Sequence, residues 1–305
     1  MSKILDAYAL RTLIPCCPSM VLLDKVMLES DTRAIGQKCI TSNELTFLGH
    51  FPNHPIFPGV LAIEAITQLA EILVRSKLDP ELKGDFYLKS VRKVKFRRPN
   101  NPGDRMIFEL DITSFGSDSA EFTAVVKNGA GVACNAQGVV AVRPKTPDTT
   151  PIQPFGEFDK GICCEMDATG IKELIPHRYP FLLVDYVCKI QGSHVTGVKN
   201  LTQGEPLFRN YQDGYSVLMG PVQAEMAAQT GAIYMLSREE NRGKIAYFMG
   251  IDDSQLLRPV FPGQQLRLEI DMPDTKSKFG KGHGCVYADG QLASETTMLF
   301  AIVDP

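Results

Sequence analysis

The chain repeats itself. Ile14-Pro15 followed by Val21-Leu22-Leu23-Asp24 returns 161 residues later as Ile175-Pro176 followed by Leu182-Leu183-Val184-Asp185. FPGVLAIEAITQ (57–68) returns as MGPVQAEMAAQ (219–229), with Glu64 and Glu225 again 161 apart. Arg98-Pro99 with Pro102-Gly103 returns as Arg258-Pro259 with Pro262-Gly263 at a spacing of 160, so one residue is lost in a loop between the second and third anchors. A unit of about 145 residues is too long for a solenoid repeat and suits a domain. Two similarly folded units are therefore expected, 1–145 and 166–305. They are joined by a linker over 146–165, within a stretch (RPKTPDTTPIQPFGEFDKG, 143–161) whose prolines and threonines favour extended chain.

Composition narrows the class. A net charge of -3 argues against a general nucleic-acid binder, and no apolar run reaches the roughly 18 residues that span a bilayer. MSKILDAYALRTLIPCC has no apolar signal core, so the cytoplasm is the expected location. The eight cysteines include no CxxC pair with metal-ligand spacing, so reduced, mostly buried thiols are expected and no metal site. Neither a phosphate loop nor a GxSxG elbow is present, and no cofactor is implied.

Each unit reads as a short N-terminal helix, an apolar strand (Met20 to Met27; Phe181 to Ile190), a further strand, an irregular loop, a long helix (about 59–77; about 221–237) and a run of strands. One long helix with antiparallel strands is an α+β pattern. GVLAIEAITQLAEILV is apolar nearly all round, so a sheet wrapped about a buried helix would satisfy it.

Glu64 lies within that helix, between Ile63 and Ala65. Apolar surroundings raise a carboxyl pKa, which would suit it to donate a proton near neutral pH. Gln68, one turn on, can hydrogen-bond it, and Glu225 with Gln229 repeats the arrangement. A buried glutamate is, however, as often a cap for a backbone group. His50 opens the loop HFPNHPIFPG, stiffened by Pro52, Pro55 and Pro58, and has the residue type best suited to take a proton at neutral pH; His54 reads as a loop residue. The loop ends at Gly59. There a helix N-terminus offers free N–H groups, and the missing side chain would let an acyl oxygen approach.

HFPNHPIFPGVLAIEAITQ (50–68), with its glutamate fourteen residues past the histidine, resembles the signature of the 3-hydroxyacyl-[acyl-carrier-protein] dehydratases of bacterial fatty-acid synthesis. IPHRYPFLLVDYV (175–187) and YFMGIDDSQLLRPVFPGQQLRLEI (247–270) extend the resemblance to the second copy. The resemblance implies a hot-dog fold, here two in tandem as a pseudo-dimeric double hot dog. It also implies an active site that takes histidine from one hot dog and glutamate from the other. That pairs His50 with Glu225, with N–H donors from the helix start at Gly59 or Gly220. The mirror site would pair Glu64 with Tyr211, which stands at the position of His50, next to Gly220. A phenol is a poor base at neutral pH, so the mirror site is expected to be degenerate. In the first copy Cys16-Cys17-Pro18-Ser19 stands where the second keeps His177-Arg178-Tyr179-Pro180.

The activity implied is dehydration of 3-hydroxyacyl thioesters carried by acyl carrier protein or coenzyme A, in fatty-acid or polyketide-like synthesis. A hot-dog thioesterase and a non-catalytic acyl-carrier-binding protein remain alternatives. In VRKVKFRR (91–98), Lys93, Lys95 and Arg97 share one parity, with Arg92 and Arg98 nearby. The row reads either as a basic stripe for an acidic carrier or as an ordinary solvated face. The family's habit of assembling three dimers makes a trimer of fused chains an expectation.

Overall fold

The computed structural model describes residues 3–81, 84–144, 159–211, 215–272 and 278–304. Of the linker expected over 146–165, residues 146–158 lie outside these. The first repeat contains β1 (Lys3–Leu5), α1 (Ala7–Leu13), β2 (Lys25–Leu28), β3 (Arg33–Cys39), α2 (Gly59–Leu78), β4 (Gly84–Phe96), β5 (Arg105–Phe115), β6 (Ser119–Asn128) and β7 (Gly131–Pro144). The second contains β8 (Met166–Asp167), α3 (Ala168–Leu174), β9 (Tyr186–Gln191), β10 (His194–Asn200), β11 (Phe208–Asn210), β12 (Ser216–Leu218), α4 (Gly220–Ser237), β13 (Ile245–Leu256), β14 (Gln265–Asp271), β15 (Phe279–Ala288) and β16 (Gln291–Val303).

The repeat governs local structure as well as order. Asp6 caps α1 by accepting from the N–H of Ala9; Asp167, 161 residues on, caps α3 by accepting from Thr169 and Gly170. Asp24 accepts from the N–H of Cys39 at 2.5 Å, and Asp185 from that of Asn200 at 2.7 Å. α2 is buried without a break from Val60 to Val74, and α4 from Pro221 to Leu236, as helices enclosed by a sheet must be.

Fourteen strands form one antiparallel sheet in the order β1-β2-β3-β5-β6-β7-β4-β13-β16-β15-β14-β10-β9-β8. The second seven repeat the first seven in reverse, so the two copies meet at β4 and β13 and neither keeps a free edge there. Lys95 pairs with Gly250 and Ser90 with Gln255. With the 160-residue spacing, these two pairs are the same contact with the copies exchanged, the mark of a pseudo-twofold axis. The chain is α+β, two hot dogs in tandem forming a pseudo-dimer.

Two expectations fail locally. Met20–Leu23 and Phe181–Val184 are not strand; regular pairing starts only at Lys25 and Tyr186. Their backbone groups bond to glutamine side chains instead. Gln68 accepts from the N–H of Leu22 and donates to the carbonyl of Met20, and Gln229 does the same for Leu183 and Phe181. The thiols depart as well. Cys163 and Cys188 form a disulfide, and of the six free cysteines only Cys134 is buried.

Candidate active site

His50 reaches its place through a loop that closes on itself. Its N–H bonds to the carbonyl of Thr46 at 2.8 Å, and its own carbonyl accepts from Ile56 at 3.0 Å. Its Nδ1 lies 2.7 Å from the oxygen of Ile56 and donates to it, which leaves the lone pair on Nε2. Pro52, Pro55 and Pro58 have no N–H to satisfy along this tight course.

The loop is pressed against the second repeat. Arg178 donates its N–H to the carbonyl of Gly49 at 3.0 Å, and a Cβ on Gly49 would lie 2.1 Å from the carbonyl oxygen of Arg178. Only glycine allows this approach. The Arg178 guanidinium in turn binds the carbonyls of Lys172, Ile175 and His177, holding the IPHRYP segment. The imidazoles of His50 and His177 consequently stand 5.5 Å apart, centre to centre.

Glu225 arrives from α4, one and a half turns past Gly220. It is 5% exposed, accepts from Gln229 at 2.9 Å and has His177 Nε2 at 3.4 Å. Burial raises its pKa, but the hydrogen bond and charge of His177, the charge of His50 and the Gln229 bond outweigh this, and the net shift is downward. Burial, aided by His177, lowers the pKa of His50 to about 4. The site thus holds a neutral imidazole opposite an ionised carboxylate. His50, His177 and Glu225 line one cavity of about 380 Å³ with Gly59, Phe96 and Arg98. Among the described residues, these three bring their ligand atoms within 4.8 Å of one another, so they could also hold a cation.

The second cavity, about 150 Å³, contains Glu64, Tyr211 and Gly220, as the sequence pairing requires. Its chemistry is different. Arg209 of β11 donates to Glu64 at 2.6 and 2.9 Å and to Glu71 at 2.8 Å, all three side chains being buried. Tyr211 spends its hydroxyl on the carbonyl of Phe86 at 2.8 Å, and burial pushes its pKa up. Glu64 keeps the expected bond from Gln68, at 3.2 Å, and burial raises its pKa against the pull of Arg209. The carboxyl of Glu64, in the mirror cavity, is raised as its apolar surroundings suggested, whereas that of Glu225, beside His50, is lowered against them.

Other expectations need adjustment. A Cβ on Gly59 would lie 2.6 Å from the Phe96 ring, so ring packing demands this glycine whatever a ligand requires. Lys93, Lys95, Arg97 and Arg98 are all exposed, but β4 bulges between Arg92 and Lys95 with Lys93 at φ 53°, so simple alternation does not set their directions. Arg97 and Arg98 line the larger cavity; Lys93 and Lys95 line neither. The residues the sequence reading missed are His177, Arg209 and Glu71. His177 was visible as the counterpart of Cys16, and the other two gave no local signal.

Comparison with known proteins bears on the fold and the family. A family model described as a FabA-like domain matches residues 14–142 and again 175–297. The 3-hydroxyacyl-[acyl-carrier-protein] dehydratase FabZ of Bacillus cereus (strain AH820) is 46% identical over 140 residues, 46% of this chain and 97% of the relative. The dehydratase domain from the CurJ module of curacin polyketide synthase superposes with a TM-score of 0.64 at 15% identity, covering 96% of this chain and 98% of that one. A putative oleoyl thioesterase from Lactobacillus plantarum superposes with a TM-score of 0.58 at 9% identity, covering 90% and 98%. Both likenesses speak to the fold alone, and it is the two sequence matches, one in each repeat, that make the chain a member of the FabA-like family carrying its domain twice.

Proposed function

We propose that the chain is a hydro-lyase that removes water from 3-hydroxyacyl thioesters to give trans-2-enoyl thioesters, at one composite site between its halves. The observation that carries this reading is the meeting of His50 from the first repeat and Glu225 from the second in one cavity beside the helix start at Gly59. Dehydration needs a base at C2, a proton for the leaving hydroxyl at C3 and stabilisation of charge on the thioester oxygen. His50 Nε2 takes the C2 proton, since its Nδ1 is held by Ile56 and its neutral form is favoured. The N–H groups at the start of α2 face the thioester oxygen. The proton for the hydroxyl is delivered by Glu225 in its protonated form, the minor one because its pKa is held down, with His177 Nε2 3.4 Å away. After water leaves, His50 carries one proton and Glu225 has lost one, and return of that proton resets the site. Gln68 and Gln229 support the two glutamates.

The units responsible are 1–145 and 166–305, with 146–165 as the link. The second unit, with Tyr211 in place of the histidine, contributes a glutamate to the working site and no base of its own. The mirror set of Glu64, Tyr211 and Gly220 is catalytically silent, because Arg209 holds the acid and Phe86 holds the phenol. Acyl carrier protein or coenzyme A bears the substrate, and the basic residues Lys93, Lys95, Arg97 and Arg98 receive the carrier. The thioesterase alternative shares the fold, but hydrolysis has no use for a neutral histidine aimed at C2. No helix among the described residues is long and apolar enough to cross a membrane, and the enzyme is proposed to act in the cytoplasm.

The deciding experiment supplies 3-hydroxyacyl and trans-2-enoyl thioesters separately and follows enoyl absorbance and free thiol. Interconversion without thiol release is expected. Thiol release without enoyl product would make the chain a thioesterase, and neither signal would make it a binding protein.

A further inference from the structure

The geometry points to a zinc-binding site formed by His50, His177 and Glu225, through which free Zn²⁺ shuts off the enzyme. Catalytic zinc sites use three protein ligands of this type, two imidazoles and a carboxylate, with water in the fourth position. A tetrahedral ion with arms of roughly 2.0–2.1 Å sets its ligand atoms roughly 3.3–3.4 Å apart. His177 Nε2 and Glu225 Oε1 already stand 3.4 Å apart, and the three ligand atoms lie within 4.8 Å of one another. Closing the remaining gap to His50 takes a side-chain adjustment of about an ångström.

The surroundings suit a metal as well as a proton. A metal-bound histidine is ordinarily oriented by a hydrogen bond from its other ring nitrogen, and His50 Nδ1 has this bond to Ile56. The carboxylate is likewise held by Gln229. His177 would bind through Nε2 and keep its proton on Nδ1, which is buried without a hydrogen-bond partner, so this ring is free to turn but lacks the outer bond that His50 has. The cavity of about 380 Å³ leaves room for the fourth, water ligand. The pseudo-equivalent position has no such set: Cys16 and Tyr211 replace the two histidines, and Arg209 sits on Glu64. One ion per chain is therefore expected. Bound zinc would occupy the lone pair of His50 that accepts the C2 proton, so binding and turnover would exclude each other. The inhibition rests on the dehydratase reading; the binding does not.

The test titrates metal-free full-length protein with Zn²⁺ in the presence of a competing fluorescent chelator, and in parallel measures dehydration at each free Zn²⁺ level. One site per chain is expected. Its occupancy should follow the loss of activity, a chelator should restore turnover, and Mg²⁺, which prefers oxygen ligands, should do nothing. His177→Asn and the isosteric Glu225→Gln should each weaken binding by about 10–100-fold or more. Equal zinc affinity in both variants, or no binding at all, would overturn the site, since any remaining zinc would then be held elsewhere, for instance by the exposed Cys39 and Cys164. Zinc that binds the three residues yet leaves turnover unchanged or raises it would overturn the inhibition. Metal-free protein with no dehydration in the same assay would instead overturn the functional reading and leave the binding result standing.

Discussion

At the scale of single residues, burial and neighbouring charge decide what each group can do. His50 has its pKa lowered to about 4 by desolvation and by His177, so the form able to take a proton persists well below neutral pH. A base at the ordinary histidine value near 6.5 would lose about tenfold in kcat/KM between pH 7 and pH 5.5. The expected result here is no such fall over that range, because protonation of His50 sets in only as the pH falls toward 4. A tenfold fall by pH 5.5, measured on kcat/KM, would contradict this. The sequence pointed to His50, Glu225, Glu64 and Tyr211 because the loop and helix carrying them are local patterns that recur, while their cross-pairing followed only from the family resemblance. It could not supply the electrostatics. Arg209 lies 145 residues from Glu64 and 138 from Glu71, and nothing near it in the chain hints at those partners. His177 stood within a legible motif, yet its approach to Glu225 depends on how the two halves pack.

At the scale of elements, the apolar helices were readable because an all-apolar pattern has one ready solution inside a sheet. The apolar stretches before β2 and β9 were misread as strand because burial has the same apolar signature, and a glutamine 46 residues away took the place of a strand partner. The contact of the His50 loop with the Arg178 segment is an element-scale feature that can be tested. In Gly49→Ala the new methyl must displace the backbone of Arg178, and His50 moves with the loop. A misplacement of about 1 Å costs roughly 100-fold in rate, so kcat/KM should fall about that much while circular dichroism is retained; unchanged activity would mean the close approach does not set the site. β4 offers another test. Reversing Lys95 and Arg97 to glutamate should lower activity with carrier-bound substrate about tenfold or more and spare a short thioester analogue. Equal losses with both substrates would leave the basic row as an ordinary solvated face.

At the scale of the whole molecule, duplication was the most legible property. A constant spacing in the sequence becomes a pseudo-twofold axis in the sheet, and the reversed strand order follows from it. Assembly beyond one chain was not legible. A trimer of fused chains predicts a solution mass near three times 33.6 kDa by light scattering, and a mass of one chain would exclude it. The axis also relates two cavities, of which the one with His50, His177 and Glu225 is proposed to work. Replacing the two helix glutamates separately tells the two cavities apart. Glu64→Gln removes one of the two carboxylates paired with buried Arg209, Glu71 remaining, and should lower stability, so rates are read per folded molecule. The measurement is kcat/KM for dehydration in His50→Ala, Glu225→Gln and Glu64→Gln. A loss of about 10²–10⁴-fold in the first two with most activity kept in the third is predicted; Glu64→Gln as damaging as Glu225→Gln in correctly folded protein would contradict the single composite site.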